Sequence, residues 1–238
     1  LATSSGLAGP SPERMKRLCH QTWTEAKPVA IGDEVDRYLR GRGINQGAYP
    51  RTLRFHPSLG YYEKQPGQKR SKLIASYAAM IACVQGPDGH AVTLHRTYLR
   101  DGRKALGDQS KKLLSAGING AAVRLDEATD ELALTEGIET ALAVRLRTGK
   151  PTWAAINCGN LERIWIPEQV QRVCIYADND SDAEFAGQAS AYILAQRLVR
   201  EAKKAGVPRT VEVFVPRQAG TDWADIWLAS LAKDKRAA

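Results

Sequence analysis

Acidic side chains are concentrated directly after two apolar stretches of the sequence. Asp178 and Asp180 close "VCIYADND" (173–180), Asp182 follows two positions later, and Glu136 ends the earlier stretch "LALTE" (132–136). Clustered carboxylates cannot all stay ionised unless a positive charge lies among them. A hard divalent cation such as Mg²⁺ takes oxygen ligands and keeps waters for phosphate substrates, and it neutralises charge that develops on a transferring phosphate. These residues therefore indicate a Mg²⁺ site for phosphate chemistry.

The elements that must position these acids alternate between strand and helix after residue 131. Strands are predicted in "LALTEG", "TWAAIN", "VCIYADND" and "TVEVFVP", and helices in "IETALAVRLRTG", "LERIW", residues 184–205 and "DWADIWLASLAKD". Strands separated by helices predict crossover connections and a mostly parallel sheet. Ligands bind at the carboxyl ends of such strands, so neighbouring strands would bring Glu136 and Asp178 together. The alternative is that Asp178 and Asp180 only form a turn and cap the next helix, a role that Asp favours.

The first half of the chain follows a different, mixed pattern. Helices are predicted over Pro12–Ala26 and Asp33–Arg40. Two antiparallel strands are predicted over Ile74–Gln85 and His90–Leu99, on either side of the turn "GPDG". A loop over Asp101–Gly120 and a strand over Ala121–Leu125 follow. We therefore predict three parts: a flexible leader (1–12), a smaller basic α+β subdomain (13–130) and an α/β domain (131–238), with "DEATDE" (126–131) at the boundary.

The net charge of +8 lies entirely in the first part of the chain. Residues 1–130 hold 20 Lys and Arg against 12 Asp and Glu, whereas residues 131–238 hold 14 of each. The richest basic stretch runs from His95 to Lys112 and holds Arg96, Arg100, Arg103, Lys104, Lys111 and Lys112. Arg96, Tyr98 and Arg100 share one face of a strand by its two-residue period. Cations beside an aromatic ring suit single-stranded nucleic acid, although an ordinary exposed strand face has the same pattern.

The acids and their surroundings together resemble the Toprim family, which has a glutamate after its first strand and a D-x-D after a later strand. "TEGIETALA" and "YADND" supply these two motifs. With "PTWAAIN" and "DWADIW", they are similar to the Toprim segment of bacterial-type primases encoded on phages, plasmids and mobile elements. The upstream "YLRGRGI" and "HRTYLRDGRKA" resemble the segment that precedes Toprim in those proteins, so the resemblance covers the chain from about Arg14 onward.

The resemblance implies roles for individual residues. Glu136 matches the family's glutamate, as general acid/base or metal ligand, and Gly137 would let the chain turn tightly behind it. Asp178 and Asp180 match the metal-binding pair. Asp182 is a further ligand or, as we favour, a helix cap. Glu139 has a supporting or a catalytic role, and Asp222 and Asp225 are interpreted as cap and surface residues.

The implied activity is that of a DNA primase, a nucleotidyltransferase that makes short RNA primers on a single-stranded DNA template with Mg²⁺ or Mn²⁺. Its partners would be single-stranded DNA, ribonucleoside triphosphates and a replicative helicase, or a zinc-binding or helicase region outside this chain. The resemblance also favours contact of Arg96, Tyr98, Arg100, Arg103, Lys104, Lys111 and Lys112 with nucleic acid or nucleotide. The alternatives are a Toprim nuclease, which would use the same acids for hydrolysis, and an inactive single-strand-binding accessory.

The cysteines, the length of the apolar runs and the first residue give further expectations about this chain. The four cysteines are scattered without a C-x-x-C pair, so we expect no zinc in this fragment and a reducing, cytoplasmic location. No apolar run approaches the roughly 20 residues of a membrane helix, so no membrane partner is expected. The chain begins at Leu1 rather than Met, which indicates a fragment or a processed product.

Overall fold

The computed structural model describes residues 11–64, 66–68, 71–115 and 117–237, so residues 1–10 of the predicted leader lie outside the described residues. Its elements are α1 (Pro12–Glu25), β1 (Lys27–Pro28), α2 (Glu34–Gly41), β2 (Leu53–Lys64), β3 (Ser71–Gln85), β4 (Ala91–Arg100), β5 (Arg103–Lys104), a 3-10 turn (Gly107–Ser110), β6 (Lys111–Leu113), β7 (Val123–Arg124), β8 (Glu131–Thr135), α3 (Ile138–Thr148), β9 (Thr152–Ala154), α4 (Cys158–Leu161), β10 (Arg172–Tyr176), α5 (Ala186–Ala205), β11 (Thr210–Phe214) and α6 (Trp223–Ala237). None of the helices described is long and apolar enough to cross a membrane.

The first sheet is antiparallel and has the order β1-β2-β3-β4-β5, with β6 also paired to β4. The predicted pair of strands around "GPDG" is confirmed as β3 and β4. Strand β2 was missed by the sequence analysis, because Pro57 and Gly60 interrupt its apolar pattern. The register shifts between His56 and Leu59, and this irregularity accommodates a proline that has no N–H for the ladder.

The predicted loop over Asp101–Gly120 is only partly correct. Asp101 and Gly102 take positive φ values of 52° and 67°, and the chain turns back so that β5 pairs with the end of β4. Strand β6 then pairs with the middle of β4, with Lys111 opposite Thr97 and Lys112 opposite Arg96. Strands β5 and β6 are only two and three residues long and mostly basic, so they gave no periodic signal. The pairing places Lys111 and Lys112 in the sheet.

The second sheet has the order β11-β10-β8-β9-β7. The pairs β8–β9, β8–β10 and β10–β11 are parallel, whereas β7 pairs antiparallel with β9, so the sheet is mixed. Strand β7 comes from the segment that we had assigned to the basic part of the chain. The short helix expected at "LERIW" instead begins earlier, at Cys158, where Asn157 caps it by accepting the backbone N–H of Asn160.

Helix α3 joins the two sheets through a shared apolar core. Its residues Ile138 and Leu142 pack in one cluster with Leu39 of α2 and Met80 of β3, all nearly inaccessible to solvent. Helix α6 adds a second link, because the Trp227 indole N–H donates to the Gly43 carbonyl at 2.9 Å. Side chains from the basic half are therefore held beside the start of α3, which directly follows Glu136.

Candidate active site

Glu136 lies between the end of β8 and the start of α3. Its carboxylate accepts a hydrogen bond from the Cys158 thiol at 2.7 Å. Burial raises the pKa of Glu136 and the charge of Asp180 adds to this rise, while the Cys158 bond and Lys111 oppose it. Gly137 has an ordinary φ of −88°, and a Cβ there would meet nothing closer than 3.5 Å. We expected the turn after Glu136 to require glycine, but the backbone at this position would also accept a residue with a side chain.

Asp178 lies two residues beyond the end of β10, the strand that pairs with β8 through Tyr176 and Thr135. Both acids line the same cavity, as their strand-end positions predicted. Burial, followed by repulsion from Glu136 and Asp222, raises the pKa of Asp178 to about 8. Its Oδ1 atom is buried and has no hydrogen-bond partner. A carboxylate in these surroundings is poorly stabilised unless a cation comes to it.

Asp180 acts on the same cluster but does not line the cavity. Its Oδ2 atom accepts the backbone N–H of Gly187 at 2.8 Å, which helps fix the loop before α5. A Cβ at Gly187 would come within 2.8 Å of this oxygen and 2.9 Å of the Asp178 carbonyl, so glycine is needed for the close approach. The charge of Asp180 nevertheless raises the pKa of both Glu136 and Asp178.

Asp182 lies apart from these three acids. It is exposed and its carboxylate lies beside Gly220. Our expectation that it caps α5 is wrong, because that helix begins after Phe185 and has no side-chain cap. Asp182 does not line the cavity, and its role as a further metal ligand stays a prediction.

The cavity has a volume of about 150 Å³ and carries charges of both signs. It is lined by Arg42, Lys104, Lys111, Glu136, Gly137, Glu139, Thr140, Ile156, Asp178 and Asp222. Asp222 caps α6, as expected, by accepting the Asp225 backbone N–H at 2.8 Å. Its other oxygen accepts the Thr140 hydroxyl at 3.2 Å, so it also belongs to the site. The sequence analysis missed Arg42, although the residue lies within "YLRGRGI".

The donor set is suited to a hard divalent cation. Among the described residues, no three His, Cys, Asp or Glu side chains stand together in a geometry that would hold a metal ion as they are. Mg²⁺, however, usually binds to one or two carboxylates and fills its shell with water and substrate phosphates. The unpartnered oxygen of Asp178 and the raised pKa of Glu136 and of Asp178 fit this requirement. Asp178 and Glu136 would hold the ion, with Asp180 beside them.

The basic residues of β4 are not arranged as the sequence analysis expected. Tyr98 is fully buried, donates its hydroxyl to the Gly60 carbonyl at 2.9 Å and packs edge-on against Tyr61. It therefore cannot stack on a base. Arg96 donates to the Leu113 carbonyl at 2.8 Å and lies against the Tyr98 ring, which makes it part of the sheet's structure. Arg100 is exposed, with its guanidinium 4.8 Å from the centre of the Tyr77 ring.

The remaining predicted basic residues are exposed or line a cavity. Arg103 is exposed, and Lys104 lines the cavity that contains Glu136 and Asp178. Lys111 and Lys112 line a second, open cavity of about 400 Å³, whose other lining residues are Tyr61, Tyr62, Glu63, Lys64 and Gln109. Lys112 donates to the Tyr62 carbonyl at 2.8 Å and lies 3.6 Å from the centre of the Tyr61 ring. Lys111 lines both cavities, so it connects the two.

Comparison with protein families agrees with this geometry. Residues 131–233 match the family model described as "Toprim domain", and residues 13–125 match a model described as "Domain of unknown function (DUF7146)". The chain therefore carries a Toprim domain. No curated protein sequence matches it significantly.

Solved structures extend the likeness to nearly the whole chain. A DNA primase domain from Pseudomonas aeruginosa superposes with a TM-score of 0.57 at 12% identity, covering 93% of this chain and 77% of that one. The DnaG primase catalytic domain bound to single-stranded DNA gives 0.56 at 11% identity, with 94% and 79% covered. The Aquifex aeolicus primase, comprising zinc-binding and RNA polymerase domains, gives 0.53 at 14% identity, with 96% and 62% covered. The chain thus has the fold of a DnaG-type primase catalytic core.

The raised pKa of Asp178 predicts a pH-dependent stability. An unfolded Asp ionises near pH 4, whereas Asp178 in the folded chain ionises at about 8. Between these values the folded state keeps a proton that the unfolded state has lost, so the free energy of unfolding falls as the pH rises. Asp178→Asn removes this contribution. Without divalent ions, the variant should melt above the parent at about pH 8.5 and close to it at about pH 5. Thermal denaturation in a chelator would test this, and parallel pH profiles would contradict it.

Proposed function

We propose that this chain is the catalytic core of a DNA primase of the phage, plasmid or mobile-element type, which synthesises short RNA primers on single-stranded DNA. The observation that carries the proposal is the composition of the smaller cavity. Two Toprim carboxylates, Glu136 and Asp178, line it together with Arg42 and Lys111 of the basic half. Acids that attract a metal, next to cations that attract phosphates, suit phosphoryl transfer.

In this mechanism the basic and the acidic side chains of the site have different tasks. Arg42, Lys104 and Lys111 bind and orient the triphosphate of the incoming ribonucleotide. Glu136, whose pKa is raised by burial, is poised to accept the proton of the attacking 3′-hydroxyl. Asp178, with Glu136 and Asp180, would hold Mg²⁺ or Mn²⁺. This ion would neutralise the charge that develops on the transferring phosphate.

Template binding is assigned to the basic half, residues 13–130, and the chemistry to residues 131–238. The DnaG domain of similar fold was solved with single-stranded DNA, which supports this choice of template. A replicative helicase, or a zinc-binding or helicase region of the same polypeptide, is the partner that we propose for delivering the template. The four cysteines form no disulfide, and we place the protein in a reducing, cytoplasmic compartment.

The proposal is tested by incubating the chain with end-labelled single-stranded DNA, ribonucleotides and Mg²⁺ or Mn²⁺. New short oligomers with intact DNA are the expected result. Shortened DNA would instead identify a Toprim nuclease that uses the same acids. Retention of DNA without any new or shortened strand would identify a binding accessory.

Binding of single-stranded DNA should weaken steeply with salt, because each phosphate contact releases counterions. Arg100→Ala and Arg103→Ala should each lower the affinity and reduce the slope of log K against log salt by about 0.7. Arg96→Ala should mainly lower stability, since its guanidinium is bonded inside the sheet. The control is Lys203→Ala, an exposed lysine on α5 in the charge-balanced half. An unchanged slope in the Arg100/Arg103 double variant would remove both residues from the DNA path.

A further inference from the structure

A buried carboxylate in the lining of the smaller cavity accepts side-chain hydrogen bonds from two residues of the basic half of the chain. Glu139, in the first turn of α3, is 4% exposed. It accepts the Tyr38 hydroxyl at 2.7 Å and the Lys111 ammonium at 3.0 Å. Burial on its own would raise the pKa of Glu139, but the charge of Lys111 and the Tyr38 hydrogen bond hold it below its usual range. The Glu139 carboxylate is therefore negatively charged near neutral pH.

Lys111 stands between competing acids. Its charge also lowers the pKa of Glu136 and of Asp178, so its ammonium acts on both carboxylates that would attract the metal. A flexible lysine beside such carboxylates would be drawn to pair with them. That pairing would cancel the negative charge that a metal requires, and it would withdraw the ammonium from the second cavity. The ion pair with Glu139, at 3.0 Å, holds the ammonium against both effects.

The other groups around Glu139 support this fixed arrangement. Burial and the neighbouring Glu139 charge raise the pKa of Tyr38, so its hydroxyl remains a hydrogen-bond donor. His95 is buried beside the pair, and burial lowers its pKa to about 4, so it adds no positive charge near neutral pH. Lys111 is accordingly the cation that Glu139 balances, and its side chain is still 34% exposed where the two cavities meet.

We propose that Glu139 is a positioning residue, which holds the Lys111 ammonium at the junction of the two cavities so that it contacts the phosphates of an incoming nucleoside triphosphate. This rests on the proposed function and deepens it by naming how the nucleotide-binding cation is placed. Tyr38 fixes the orientation of the Glu139 carboxylate and thereby the position of the lysine. The arrangement makes triphosphate affinity depend on a residue that does not itself touch the triphosphate.

The test is a double-mutant cycle on ATP binding, measured by calorimetry with Mg²⁺ and without template. Glu139→Gln and Lys111→Met should each weaken the Kd about tenfold, and the double variant should bind no worse than either one, because both changes remove the same contact. Tyr38→Phe should weaken binding in the same direction by about threefold, and it replaces the Glu139 variant if that one does not fold.

Asp36→Asn is the matched control. Asp36 is also buried, but it does not line the cavity. Like Glu139, it accepts a tyrosine hydroxyl, that of Tyr49 at 2.7 Å, and a basic side chain, that of Arg40. It should lose stability but keep the parent Kd. Parent-like binding by Glu139→Gln, or additive losses in the cycle, would overturn the positioning role even if the parent synthesises primers. A parent that neither binds ATP nor makes primers would overturn the proposed function and this inference together.

Discussion

Glu136→Gln should lower primer synthesis by about 10²–10⁴-fold while the chain stays folded and retains DNA. Gln keeps the size of the side chain and can still accept the Cys158 thiol, but it cannot take a proton or attract a cation. If Glu136 only began helix α3, its replacement would cost about 0.3–1 kcal/mol in interaction with the helix dipole and leave synthesis nearly normal. Primer yield at matched folded concentration distinguishes the two cases.

Glu131→Gln is the control for this experiment. Glu131 begins the same strand at the opposite edge of the sheet, where it pairs with Lys150 and Arg172. It should keep primer yield near that of the parent, because its ion-pair partners Lys150 and Arg172 do not line either cavity described here. A Glu136 variant with parent-like yield would contradict the catalytic role of this glutamate.

Asp178→Asn and Asp180→Asn should each abolish nucleotide addition and reduce the response of the melting temperature to divalent ions. An ion that binds only the folded state stabilises it by about 2.7 kcal/mol at a hundred times its Kd. Removing a carboxylate that holds the ion should remove most of this gain. The measurement is the melting temperature with increasing Mg²⁺ or Mn²⁺, together with primer yield.

Asp182→Asn serves as the neighbouring comparison. Its side chain is exposed and outside the cavity, so both its primer yield and its metal response should match those of the parent. Loss of activity in this variant would restore Asp182 as a ligand. Full activity in Asp178→Asn would contradict the metal site proposed here.

The convergence of Glu136 and Asp178 could be predicted because it depends on local pattern and one general rule. Each acid follows an apolar strand, and the carboxyl ends of parallel neighbours meet at one edge. The hydrogen-bond partners of Glu139 could not be predicted in this way. Tyr38 and Lys111 reach Glu139 across 101 and 28 positions of sequence, and such contacts depend on how the two sheets pack around α3.

The prediction that Tyr98 contacts nucleic acid failed for a similar reason. The two-residue period correctly groups Arg96 with Tyr98 on one face of β4, but periodicity does not say what covers that face. Helix α1 lies over it and packs Cys19 and Trp23 into the same apolar cluster as Tyr98. A ring that suggested base stacking in the sequence is therefore part of the core.

If this chain copies a DNA template into RNA, the composition of its product must follow the sequence of the template. Single-stranded DNA templates of defined sequence would be incubated with Mg²⁺ or Mn²⁺ and four ribonucleotides, labelled one at a time. We expect short labelled oligomers that contain the ribonucleotides complementary to each template and that are absent without DNA or with Glu136→Gln. Labelled product that does not change with the template, or no product under conditions where the parent binds DNA and ATP, would contradict it.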